Sequence, residues 1–264
     1  MIIVDNLGFC YNSRTVLKNI SFTVIGSEGI GIIGPNGAGK TTLIRLITGL
    51  LRPDKGRVII NVDGAAFEPN SISRRSIAKY ISVLPQNPIL LEDYRVHDVV
   101  VMGRFAHSRG ISYTKEDYEI AETVMKEIGI VQLKDRFISQ LSGGEKKMVL
   151  IARTIAQNTP ILIFDEPTSD LDLAHSERIM EFITEKCKED NKTLIIIMHD
   201  ISLSARYIKR LMLIAEGMVI SDGCPRDVIN EANILKAYNI KTEITWFKGA
   251  PFINPINPLI HKEV

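Results

Sequence analysis

Gly34-Pro35-Asn36-Gly37-Ala38-Gly39-Lys40-Thr41-Thr42 stands directly after the apolar run Gly29-Ile30-Gly31-Ile32-Ile33 and directly before Leu43-Ile44-Arg45-Leu46-Ile47. The spacing G-x-x-x-x-G-K-[ST], set between a strand pattern and a helix pattern, is that of a loop that holds nucleotide phosphates. Glycines let the backbone wrap closely around phosphate oxygens, offering successive N–H groups and the positive end of the following helix. Lys40 supplies a point charge for the β and γ phosphates. Thr41 offers its hydroxyl to Mg²⁺, and Thr42 adds a phosphate contact. A solvated lysine on an ordinary glycine turn would not need the flanking strand and helix.

Outward from this loop, the first strand candidates are Ile2-Ile3-Val4, Ile20 to Val24 and Arg57 to Ile60, punctuated by Gly, Asn and Asp as in an antiparallel sheet. Later runs, Tyr80 to Leu84, Ile161 to Phe164 and Thr193 to Met198, are continuously apolar, as a sheet covered on both faces requires. Between them, Asp117 to Ile130 carries Ile120, Ala121, Val124, Met125 and Ile128 at helical spacing, a packing stripe. Leu211 to Gly223 reads as a hairpin.

Composition sets the limits. The 264 residues carry Lys+Arg 32 against Asp+Glu 31, a formal net charge of +1, with no long run of one sign, so nucleic acid is not an expected partner. Cys10, Cys187 and Cys224 are isolated, which indicates neither a disulfide framework nor a zinc site and fits a reducing cytoplasm. The most apolar strand is far shorter than the roughly 20 residues of a membrane helix, so a protein soluble by itself is expected.

Two further groups specify chemistry. Asp165 and Glu166 leave the strand Ile161-Leu162-Ile163-Phe164, where one carboxylate can serve the Mg²⁺ sphere and the next can face the γ-phosphate. Leu141-Ser142-Gly143-Gly144-Glu145 precedes a helix through Val149 to Arg153; taken alone it reads as a helix cap, a serine followed by glycines and a first-turn acid.

Tyr11, the phosphate loop, Gln86 after a strand, Leu141 to Glu145, the paired acids, Ser169-Asp170-Leu171-Asp172 and His199 occur in one order, and in that order the chain resembles the nucleotide-binding subunit of an ATP-binding cassette (ABC) transporter over nearly its whole length. The resemblance implies an α/β fold: a P-loop (RecA-like) ATPase core, about 1–88 and 158–235, an N-terminal antiparallel β subdomain, an inserted α-helical subdomain, about 89–157, and a short tail from 236 to 264. It implies ATP and Mg²⁺ as cofactors. Tyr11 would stack on adenine, residues 34 to 42 would hold the phosphates, and Thr41, Gln86 and Asp165, the last through water, would serve the metal. Glu166 would be the general base, and Gln86 would approach Mg²⁺ and the attacking water while its loop senses the membrane partner. His199 would contact the γ-phosphate. Two copies would pack head to tail as a homodimer, Ser142, Gly143 and Gly144 of one capping the ATP held by Lys40 of the other, with Asp172 linking the sites.

Four positions depart from the family pattern. Glu145 stands where glutamine is usual and Lys146-Lys147 where Gln or Arg is frequent, while the hydroxyl and glycines that address phosphate are intact. Asp170 replaces a small residue near the expected dimer axis, where like charges would repel. The stretches Val99 to His107 and Leu171 to His175 resemble the importers of iron–siderophore chelates, haem, cobalamin and molybdate or tungstate. They imply two polytopic permease subunits, a substrate-binding protein and a place on the cytoplasmic face of the membrane. The competing reading is a soluble ABC ATPase of iron–sulfur cluster assembly. Pro251, Pro255 and Pro258 make the tail read as extended or turning chain rather than a packed domain.

Overall fold

The computed structural model describes residues 1–86, 88, 94–108 and 112–258, apart from the side chains of 257 and 258. Two compact units form: Met1–Ser71 with the chain from Ile195 onward make the first, and Ile72–Leu194 the second. The first unit opens with β1 (Ile2–Tyr11), β2 (Arg14–Val24), β3 (Gly29–Ile33), α1 (Lys40–Ile47), β4 (Lys55–Val62) and β5 (Ala65–Phe67). The second holds α2 (Arg74–Ile77), β6 (Ile81–Leu84), α3 (Val96–Val101), α4 (Lys115–Glu127), α5 (Gly143–Ala156), β7 (Ile161–Asp165) and α6 (Leu173–Glu189), and β8 (Thr193–Ile197) carries the chain back. The first unit resumes with α7 (Ile201–Tyr207), β9 (Arg210–Ala215), β10 (Met218–Gly223), α8 (Pro225–Val228), α9 (Glu231–Tyr238), β11 (Ile240–Phe247) and β12 (Ala250–Pro258).

In the first unit, β2, β1, β4 and β5 lie side by side, all antiparallel. Ile2 pairs with Val24 on one side and Ile60 on the other, and all three are fully buried, which is what fixes the register: a one-residue slip would turn each of them to the opposite face. β3 runs parallel to β9 and presents Ile30, Ile32 and Ile33 fully buried, so the strand is apolar at nearly every position. The phosphate loop is thereby anchored at its entrance by a fixed strand and at its exit by α1, whose Leu43, Leu46 and Ile47 are fully buried.

In the second unit, β6 and β7 are parallel, with Val83 opposite Ile163 and Leu84 opposite Phe164. α5 packs on α3 and α4, burying Val149, Ile151 and Ala152 completely. Of the stripe expected on 117–130, Ala121, Val124, Met125 and Ile128 are buried and Ile120 is half-buried, and the helix runs from Lys115 to Glu127. Asp117 is the third residue of that helix. Its carboxylate accepts from the Thr114 N–H at 2.9 Å, and Thr114 Oγ1 accepts from the Asp117 N–H at 3.3 Å, a reciprocal pair that caps the start of the helix.

The tail is extended chain that turns once. β11 and β12 form an antiparallel hairpin closed by Lys248 and Gly249 at φ 47° and 82°, the left-handed pair that a two-residue turn of matching twist demands. The prolines do not break it because Pro251 and Pro255 sit at alternate positions on the outer edge of β12. The Pro251 carbonyl accepts from Ser202 Oγ on α7 at 2.6 Å, so its missing N–H faces away from β11.

Candidate active site

Within the first unit, the phosphate loop is shaped by a backbone that only glycine tolerates at its entrance. Gly34 has φ 147°, and a Cβ there would lie 1.9 Å from the Ile214 carbonyl oxygen. Gly39 caps α1 with no side-chain hydrogen bond, so the first N–H groups of that helix are left for an anion. Lys40 is 6% exposed, and its Nζ donates to the carbonyls of Gly34 at 2.7 Å and Pro35 at 2.9 Å. A buried ammonium gathered onto the loop's own carbonyls, a glycine cradle and an uncapped helix start fit a nucleotide's phosphates. Asn36 and Gly37 are exposed, Pro35 and Thr41 half-buried, and Ala38 and Thr42 buried.

Tyr11 ends β1, exposed, with its ring edge-on to Phe9 and its hydroxyl accepting from Arg45 Nη1 of α1 at 3.3 Å. A half-wet aromatic with a fixed tip offers a face to a base. His199 lies two residues beyond the end of β8, after the buried Met198, and is exposed, and the next residue, Asp200, caps α7 by accepting from the Leu203 N–H at 2.8 Å.

The second unit assembles the carboxylates. Asp165 closes β7 at 2% exposure, and Glu166 follows at 7% with φ 56°, a left-handed conformation that costs a non-glycine residue roughly 1–2 kcal/mol and turns the chain sharply off the strand. Gln86 Nε2 donates to Glu166 Oε2 at 2.8 Å, so two residues 80 apart in sequence are brought into direct contact.

The signature segment is a capped helix start. Ser142 Oγ accepts from the Glu145 N–H at 3.3 Å, and the Glu145 carboxylate accepts from the Ser142 N–H at 2.8 Å. That reciprocal pair explains why Glu145 serves where glutamine is usual: either side chain offers the accepting oxygen. The Ser142 backbone bond, with its hydroxyl, holds the Glu145 carboxyl below the ordinary range despite opposing burial. Gly143 has open space where a side chain would stand, and Gly144 lies beside the His175 ring. Asp172 caps α6, accepting from the His175 N–H at 2.8 Å and from His175 Nδ1 at 2.9 Å, and these bonds draw its pKa down.

From the sequence, Asp165 and Glu166 are read at the exit of a strand, His199 at a strand end and Ser142 at a helix cap, while Tyr11 as the end of β1, Asp172 as the cap of α6 and the contacts of Lys147 are not. Its Nζ donates to the Glu166 carbonyl at 3.3 Å and to Ser169 Oγ at 3.2 Å. His175 was quoted only as part of a resemblance; the structure ties it to Asp172 and sets it against Gly144. The only available signal was its position three residues after the helix-capping Asp172. Within Val99 to His107, Phe105 is 61% exposed while Val99, Val100, Val101, Gly103, Arg104 and Ala106 are buried, so most of that stretch is packing.

Residues 17–169 match the ABC transporter family. An ABC transporter ATP-binding protein of Methanocaldococcus jannaschii is 35% identical over 96% of this chain and 97% of its own. FhuC of Bacillus subtilis, an iron(3+)-hydroxamate import ATP-binding protein, is 32% identical over 91% of this chain and 88% of its own. A chain of an ABC transporter solved in an inward-facing conformation superposes with a TM-score of 0.82 at 25% identity, covering 98% of each. The family match spans more than half of the sequence and includes the phosphate loop, the signature and both carboxylates, and the chain belongs to the ABC transporter family as one of its ATP-binding proteins.

Proposed function

We propose that this chain hydrolyses ATP to power an importer of a metal chelate, an iron–siderophore complex before haem, cobalamin or an oxyanion. The observation that carries the catalytic half is the Gln86–Glu166 hydrogen bond at 2.8 Å, because it joins the loop assigned to partner sensing to the carboxylate assigned to water. Support for the cargo class comes from the FhuC relative. All the relatives described above are transporter proteins, which does not favour the iron–sulfur assembly reading.

The phosphates of ATP take the Lys40 ammonium and backbone N–H groups of residues 36 to 42, while Tyr11 stacks on the adenine. The residues fit Mg²⁺ by the chemistry of their donors: Thr41 supplies a hydroxyl, Gln86 an amide oxygen and Asp165 a carboxylate, all the hard oxygen ligands this ion prefers. When bound, Mg²⁺ neutralises charge on the phosphates. Glu166 accepts the proton of the attacking water, and His199 holds the γ-phosphate. Ser142, Gly143 and Gly144 cap the nucleotide of a second copy, with Asp172 linking the paired sites. The chain is a single cassette, core at about 1–88 and 158–235 with a helical subdomain at about 89–157, docked through the Gln86 loop on two permease subunits at the cytoplasmic face of the membrane. A substrate-binding protein delivers the cargo. No helix among the described residues is long and apolar enough to cross a membrane.

Coexpression with the membrane protein encoded beside it is expected to give a detergent-stable complex whose ATPase rises when a loaded binding protein is added. Substitution of Pro88 should remove that stimulation and spare basal hydrolysis; Ile89 and Leu90, expected to share this groove, lie outside the described residues. Recovery of the chain only with a soluble iron–sulfur scaffold would overturn the importer reading.

A further inference from the structure

The segment from Glu166 to Asp170 is bent at both ends into the left-handed region, with φ 56° at Glu166 and 62° at Asp170. Neither residue is glycine, so the surroundings must hold the bend in place. The holding groups converge on one atom. The Glu166 carbonyl accepts from the Ser169 N–H at 3.3 Å, from Ser169 Oγ at 3.1 Å and from Lys147 Nζ at 3.3 Å, and Lys147 Nζ also reaches Ser169 Oγ at 3.2 Å.

Lys147 belongs to the second turn of α5, the helix whose cap is Ser142. It is half-buried, and burial pushes its pKa down. Three carboxylates oppose that cost, Asp170 most strongly, then Glu166 and Asp165. Lys147 and Asp170 are two positions where this chain departs from the common pattern, and the departures carry opposite charge that acts within one loop. Asp170 thus has an intrachain role beside any repulsion across a dimer axis.

We propose that Lys147 is a positioning residue: it fixes the backbone of Glu166 and so aims the hydrolytic carboxylate, with Asp170 as the counter-charge that keeps the ammonium in place. This rests on Glu166 being the base. Among the described residues the hydrogen bonds of the Lys147 ammonium go to the Glu166 carbonyl and Ser169 Oγ, so its loss should appear in turnover rather than in ATP affinity. It also makes the signature helix and the base one mechanical piece, since Ser142 and Lys147 share the same two turns of α5.

The test measures ATPase in the assembled transporter for Lys147→Met, Lys147→Gln and the double variant Lys147→Gln/Asp170→Ala, with Glu166→Gln beside them. Lys147→Met should lower kcat by roughly 10- to 100-fold, the scale of a small misplacement of a catalytic group, with KM for ATP moving less than about twofold. Lys147→Gln keeps an N–H donor but leaves Asp170 unopposed, so it should fall between. The double variant, which removes the orphaned charge, should recover most of the lost turnover. Wild-type kcat in Lys147→Met with an inactive Glu166→Gln overturns the positioning role alone. Failure of the double variant to exceed Lys147→Gln overturns the charge pairing. Near-normal turnover in Glu166→Gln removes the base assignment, and the proposal with it. A KM that rises together with the fall in kcat in all three variants would mark a general loss of structure and also count against it.

Discussion

Glu166 is held in place from two directions, its carboxylate by Gln86 and its carbonyl by Lys147 and Ser169. Glu166→Gln keeps a side chain of the same shape that can still accept from Gln86 but cannot take a proton from water. Turnover should fall at least about 100-fold, a typical loss for a general base, while labelled ATP still binds and gel filtration shows a nucleotide-dependent dimer. Normal steady-state hydrolysis would remove the residue from that role. Glu166 was legible from sequence because the acids follow an apolar strand and the phosphate loop gives them a purpose. Lys147 was not. Its partners lie 19 and 22 residues downstream, and its contact depends on the left-handed turn at Glu166, which no residue type announces.

The helical elements of the second unit turn on a buried pair. Arg104, between α3 and α4, donates to Asp117 at 2.9 Å and to the Ala156 carbonyl at 3.0 Å, with the arginine side chain 8% and the aspartate 6% exposed. Burial alone would raise the Asp117 pKa, but the Thr114 backbone bond and the Arg104 guanidinium outweigh it and hold the carboxyl below its usual value. A lowered carboxylate contributes stability that is present above its unfolded pKa, about 3.9, and lost as pH falls through the folded value. Arg104→Met should therefore cost about 3–5 kcal/mol near neutral pH, because an uncompensated charge is left inside, and distinctly less near pH 3, where Asp117 takes up a proton. Chemical denaturation at the two pH values checks both numbers; equal cost at each would show that packing dominates. The sequence offered Arg104 as part of a resemblance with a partner-facing flavour. Its inward course could not be read from spacing, since the stripe on 117–130 marks apolar positions and is silent on a buried ion pair. For the same reason the pairing of the extended tail into a hairpin was not legible: three prolines do not say which edge of a strand they occupy.

At the scale of the whole molecule, sequence order explains the division of labour. The two ends of the chain build the unit with Lys40 and His199, and the middle builds the one with Ser142 and Glu166. The proposed head-to-tail pairing makes each site depend on two chains. Mixing Lys40→Ala with Ser142→Ala subunits would then create dimers with one intact and one doubly damaged site. Hydrolysis should return to a measurable fraction of wild type, at most about half of it if the sites act independently. No recovery above either mutant homodimer would speak against the assignment or for obligate coupling, and crosslinking of cysteines placed at Gly37 and Ser142 in different chains would separate these outcomes. Motif order is what leads to this proposed composite design, because phosphate chemistry fixes residue types at strict spacing. Lastly, the β11–β12 ribbon displays Phe247 and Phe252 at 73% and 68% exposure, and a hairpin with such a face is an invitation to fibril growth. Pro251 and Pro255 withhold donors from the outer rim of β12, and α7 bonds that rim at the Pro251 carbonyl, so on that side the oily ribbon offers a foreign strand no continuous ladder to extend.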